Sequence, residues 1–151
     1  MTTAAAAAPI PFLRWSWQTH DGHRLVTVVA FLGVAAAAGM AIAGLPSLDL
    51  HGPLHYIGIM DPLCGGTRAA RYTMRGDLDQ AWRYNPLGIL AVAGAIAAAG
   101  RTVVGILTHR WVTVAIGWTP PRRRLVIGLI LAVVAVLEVR QQLLAALLTA
   151  A

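Results

Sequence analysis

The sequence predicts an all-α membrane protein of three transmembrane helices with a short helical, partly re-entrant first loop. Three observations predict this. Hydrophobic residues make up 58% of the 151-residue chain and charged residues only 12%, against roughly 45–50% and about 25% in soluble domains. Three apolar runs are each long enough to cross a hydrocarbon layer as a helix. Prolines, glycines and charges gather between those runs, where the chain must turn.

Residues 1–24 read as an N-terminal tail. An alanine run is followed by Pro9-Ile10-Pro11, which opposes a long helix. Trp15 and Trp17, beside Arg14, suit the headgroup level of a membrane. Residues 25–151 read as one membrane domain. Its first span, 25–45, contains no charge. The small residues Gly33, Ala35 to Ala38, Gly39, Ala41 and Ala43 would let a second helix approach closely. Ala41-Ile42-Ala43 has the form of a signal-peptidase site. The apolar run exceeds a usual signal core, so the reading is an uncleaved anchor.

The motif loop, 46–84, opens with the helix breakers Pro46, Gly52 and Pro53. After the Gly65-Gly66 turn, Thr67 is expected to cap a short helix through Met74, which Gly76 ends. Asp77 and Gln80 have capping-box spacing and restart a helix through Tyr84. Asn85-Pro86 then places an N-cap before a proline at the first helical position, opening the span 86–107. Arg101 falls near the end of that span and is expected to snorkel to the headgroups. Residues 108–124 hold Trp111, Trp118 and the Arg122-Arg123-Arg124 run, and are too short between the tryptophans to cross. They read as an interfacial loop. The last span is 125–148, with Glu138 and Arg140 as its intramembrane polar residues, accompanied by Gln141 and Gln142. These face either the bundle interior or the outer interface.

All twelve cationic side chains are arginines, and with six acids the net charge is +6. On so apolar a chain, this excess points to a lipid bilayer rather than nucleic acid. Six arginines fall in the tail and second loop (Arg14, Arg24, Arg110, Arg122, Arg123, Arg124), against four in the first loop (Arg68, Arg71, Arg75, Arg83). The positive-inside rule therefore predicts a multi-pass plasma-membrane protein with a cytoplasmic N terminus and an extracytoplasmic motif loop.

The densest signal is Asp61-Pro62-Leu63-Cys64-Gly65-Gly66-Thr67-Arg68-Ala69, continued by Gly76-Asp77, Ala81 and Asn85-Pro86-Leu87. It resembles the DUF2752 family of small bacterial integral membrane proteins, whose members typically carry Cys-Pro-x-Cys-Gly-x-Thr-Arg-Ala. The resemblance runs over roughly residues 50–140, and Arg140 fits an arginine often seen in the last helix. It implies a membrane protein but no reaction, since the family's function is unknown. The family's first cysteine is Asp61 here, so Cys-x-x-Cys chemistry is absent within this chain.

The candidate binding residues are Asp61, Cys64, Gly65, Thr67, Arg68, Asp77 and Asn85, all in or beside the motif loop. Arg68, Arg71 and Arg75 share a helical face, and beside a helix N-terminus they could hold an anion such as a lipid phosphate. The plainer reading is that Arg68 pairs with Asp61, Asp77 or Asp79 and locks the loop. His51, His55, Asp61 and Cys64 are possible zinc ligands, but no recognised ligand spacing is present. No catalytic set, metal or cofactor is predicted. Three function classes remain. First is a non-catalytic accessory or scaffold subunit that binds another membrane protein or a second copy. Second is a module for an anionic lipid or small anion at Gly65-Gly66-Thr67-Arg68. Third is a membrane enzyme or redox or metal protein using Cys64, which Asp61 disfavours.

Overall fold

Local chemistry sets most of the element boundaries. The computed structural model describes residues 12–45 and 58–149. His51, His55 and the loop's opening prolines lie outside them. The order is β1 (Leu13–Gln18), α1 (Arg24–Ala43), α2 (Gly66–Met74), α3 (Leu78–Tyr84), α4 (Pro86–Thr108), β2 (Trp111–Ile116), α5 (Pro120–Leu143) and α6 (Ala145–Thr149). Helices α1, α4 and α5 are long and apolar enough to cross a membrane.

Helix starts match their capping residues in two cases. Asp77 accepts the Gln80 amide at 3.1 Å and opens α3. Asn85 accepts the Leu87 amide at 2.9 Å and opens α4, with Pro86 in its first turn. The expected Thr67 cap is corrected. Helix α2 begins two residues earlier than a Thr67 cap would place it: its N-cap is Gly65 in the left-handed region, and no side chain caps it. Gly76, at φ +78°, ends it as expected.

Helix α1 packs on α4, and the short helix α2 lies against both. Ala30 and Ala37 are buried, and Gly33 between them faces Ala95. These positions share one helical face, so the small residues do allow the close approach. The tightest approach is between α2 and α4. A Cβ on Gly88 would stand 2.5 Å from Ala69 Cβ and 2.9 Å from the Gly66 carbonyl oxygen. Gly88→Ala should therefore destabilise by about 2–3 kcal/mol through overpacking. Gly94→Ala, with nothing within 4 Å, should instead stabilise by about 0.5–1 kcal/mol through helix propensity. Thermal unfolding in mild detergent separates the two.

The tail and the interfacial loop differ from expectation. Residues 13–18 and 111–116 pair as an antiparallel ribbon, from Leu13 opposite Ile116 to Gln18 opposite Trp111. The face carrying Trp15 and Trp17 points outward, with Trp15 73% and Trp17 59% exposed. On the other face, the Trp111 ring lies against Gly105 of α4. The signal was present in the alternation Leu-Arg-Trp-Ser-Trp and in the β-branched run Val-Thr-Val. Length alone excluded a membrane crossing but did not distinguish a strand from a loop.

Arg101 reaches toward the ribbon end of α4, where it forms an ion pair with Asp21 at 2.8 Å. Its Nε donates to the Val112 carbonyl at 2.6 Å, which ties α4, β2 and the start of α1 together. Asp21 in turn accepts from the Thr27 hydroxyl at 2.6 Å and the His23 amide at 2.9 Å. Burial raises the Asp21 pKa. The bonds from Thr27, Arg101 and His23, with the Arg101 charge, outweigh it and hold the carboxyl at about 2.

The third long helix starts at Pro120 rather than Leu125, because Pro120-Pro121 occupy the first helical turn. It ends at Leu143, not 148. The chain bends at Leu144, and α6 carries Leu148 back into a buried cluster with Met60 and Cys64. Among the described residues, α5 has no extensive packing with α1 or α4.

Candidate functional site at the motif loop

The turn before α2 is built by Asp61 and Gly65. The Asp61 carboxylate accepts the Leu63 amide at 2.7 Å, and its carbonyl accepts the Cys64 amide at 3.0 Å. Gly65 sits at φ +76°, where a side chain is strained. A Cβ there would also stand 3.1 Å from the Tyr84 carbonyl oxygen. The chain thus passes directly over the end of α3.

Asn85 sits beneath this turn and is fully buried. Its Nδ2 donates to the carbonyls of Pro62 at 2.9 Å and Cys64 at 3.0 Å, while its Oδ1 caps α4. Both amide protons and the oxygen are used. Gln141 of α5, also fully buried, meets the same point. Its Nε2 donates to the Cys64 carbonyl at 2.9 Å and the Tyr84 carbonyl at 3.0 Å. The Cys64 carbonyl thereby accepts from two side-chain amides on two different helices.

The neighbours of Gln141 extend this attachment. Arg140 donates through Nη2 to the Trp82 carbonyl at 2.6 Å, at the C-terminal end of α3. The amide oxygen of Gln142 accepts from the Met60 amide at 3.0 Å, and its nitrogen donates to the Gly58 carbonyl at 3.1 Å. Three consecutive polar residues at the end of an apolar helix are directed at the backbone of the motif loop. All three side chains bond the backbone of the loop; Gln141 is buried, whereas Gln142 is exposed. Glu138 is half-buried on the same stretch.

Cys64 is 5% exposed, and its Sγ donates to Met60 Sδ at 3.7 Å. Burial, and after it the nearby Asp61 carboxylate, push the thiol pKa above its ordinary value. A nucleophile needs the opposite shift. Cys64 should therefore react with a membrane-permeant maleimide at least about tenfold more slowly than in the unfolded chain. Cys64→Ser should cost only about 1–2 kcal/mol. The alkylation rate and a melting curve check the two expectations.

Arg68 lies with Cζ 5.5 Å from the centroid of the Tyr84 ring, and Tyr72 stacks on the same ring at 5.5 Å. Arg68 and Tyr72 are one helical turn apart on α2, so both hold α3 against it. Thr67 is in the first turn of α2, and Asp77 is exposed at the cap of α3. The structure brings Asp61 and Gly65 together around the buried Cys64 and Asn85, and leaves Asp77 exposed at the cap of α3. Among the described residues, no three His, Cys, Asp or Glu side chains gather as a metal cluster.

The match to a family model covers this same unit. Residues 53–99 match the family described as Protein of unknown function (DUF2752). No curated protein and no solved structure matches the chain. The DUF2752 segment holds the turn, α2, α3 and the first part of α4. The side chains that fasten α5 to it, Arg140 to Gln142, come from outside the matched residues. From sequence, Gln141 and Gln142 are expected to face the bundle interior or the outer interface, and neither stands out as a site residue. Their signal was position: two amides one turn from a helix end, within reach of a loop rich in backbone carbonyls.

Proposed function

We propose that this protein is a non-catalytic accessory or scaffold subunit of the plasma membrane that binds another membrane protein through α5. The observation that carries the reading is the way α5 is held. Its end is fastened to the DUF2752 loop by the side-chain amides of Gln141 and Gln142, while Leu125, Leu129, Leu131, Val133 and Val136 are 52–67% exposed. Exposed positions follow one another around the whole helix rather than along one stripe. Such a helix has apolar surface for a partner on every side. The polar groups of the motif loop are engaged in holding backbone, and the Cys64 thiol is raised in pKa, which favours a structural role over a reactive one. In this reading the N terminus is cytoplasmic and the motif loop extracytoplasmic, as the arginine distribution favours.

The test is photo-crosslinking in native membranes from a benzophenone residue at Leu129 or Val133, with the buried Ala37 as control. A discrete protein adduct from the α5 positions, absent from the control, is expected. An adduct of twice the chain mass would make the partner a second copy. Lipid adducts alone at both α5 positions would overturn the proposal.

A further inference from the structure

Three helix ends meet at the ribbon: the start of α1, the end of α4 and the start of α5. This end carries Arg14, Arg24, Arg110 and the run Arg122 to Arg124, against the single acid Asp21, which Arg101 already neutralises. The arginines of the run are not equivalent. Arg122 is turned into the structure, donating to the Gly117 carbonyl at 3.3 Å and lying over the Phe12 ring. Arg123 and Arg124 are exposed, and among the described residues neither guanidinium has a hydrogen-bond or ion-pair partner. Both line a cleft of about 520 Å³ with Trp118, Thr119, Pro120 and Ile127.

We propose that this cleft binds the phosphate of an anionic phospholipid, with Arg123 and Arg124 as its cation pair. The lining is amphiphilic, as a lipid requires. Two exposed guanidiniums line it, each able to give paired hydrogen bonds to phosphate oxygens. Trp118 and Pro120 form the apolar wall, and Ile127, one turn further along α5, continues it. Past Ile127 the exposed surface of α5 is apolar as far as Val136, so an acyl chain leaving the cleft meets apolar side chains along its length. The exposed Trp15, Trp17 and Trp118 mark this end as headgroup level. A soluble phosphate shares the guanidinium chemistry but leaves the apolar wall uncovered. A basic cleft at headgroup level also attracts an anionic headgroup over about a Debye length. The site is at the opposite end of the molecule from the motif loop and does not depend on the scaffold reading.

Native mass spectrometry of the full chain, released from micelles holding equimolar phosphatidylglycerol and phosphatidylcholine, tests the proposal. At least a fivefold preference for retained phosphatidylglycerol is expected. Arg123→Gln/Arg124→Gln should abolish the preference, whereas Arg75→Gln/Arg83→Gln at the other end should keep it. Ile127→Trp, which fills the cleft with both arginines intact, should also lose it. Melting temperatures in phosphatidylcholine alone, equal to that of the parent, establish that each variant is folded. Equal retention of the two lipids by the parent, or an unchanged preference in the double variant, overturns the proposal. Displacement of the bound lipid by millimolar inorganic phosphate overturns it in favour of a soluble anion.

Discussion

Asn85→Asp should be the most destabilising single substitution in the motif loop. The new side chain keeps the oxygen that caps α4, but it turns a carboxylate toward the carbonyls of Pro62 and Cys64, where the amide now donates twice. The site is fully buried. Two lost hydrogen bonds and an unpaired buried charge together cost about 3–5 kcal/mol. Asn85→Ala, which loses the bonds without adding a charge, should cost about 2–3 kcal/mol. Cys64, the only cysteine, reports the change directly. Its backbone is what Asn85 holds, so its alkylation rate should rise in step with the loss of thermal stability. An Asn85→Asp protein that melts like the parent, with Cys64 equally protected, would show that the clamp does not hold the loop.

The second large effect is expected at Asp21 and Arg101. The pair is mostly shielded, with side-chain exposures of 9% and 17%. Asp21→Asn leaves the Arg101 charge without its counter-ion beside an apolar helix and should cost about 2–4 kcal/mol. The double change Asp21→Asn/Arg101→Met should recover part of that loss, because the uncompensated charge is gone. Acid should act in the same direction as Asp21→Asn. The folded carboxyl titrates at about 2, below its ordinary value of 3.8. Its contribution is therefore complete above about pH 4 and lost as the pH falls toward 2. Tryptophan emission can follow this, since Trp15, Trp17, Trp111 and Trp118 are in or beside the ribbon and only Trp82 is remote. Emission that is flat from pH 5 to pH 2 in the parent would dissociate Asp21 from ribbon docking.

The elements that were legible in advance are those whose signal is local. Asp77 and Asn85 cap helices with their own side chains, and each bond spans two or three residues. Thr67 misled because a glycine in the left-handed region, Gly65, can begin a helix without any side-chain bond. The strand pair was hidden for a different reason. Its partners lie about a hundred residues apart, and an isolated six-residue apolar segment does not reveal whether another strand exists to pair with it. The Arg101 counter-ion was hidden for the same reason, since Asp21 is eighty residues away.

The sequence by itself determined the three long apolar helices, the arginine asymmetry between their connections, the turn at Gly65 and the caps at Asp77 and Asn85. Those properties follow from hydrocarbon thickness, transfer free energy and bonds between near neighbours, none of which needs a partner from elsewhere in the chain. Only the tertiary structure decided which polar groups meet. Gln141 and Asn85 share the Cys64 carbonyl, Arg140 reaches the end of α3, and Arg101 finds Asp21. A buried amide or guanidinium must satisfy its donors, and the sequence states the demand. Which carbonyl or carboxylate answers it depends on where the packing of α1, α2 and α4 places the backbone.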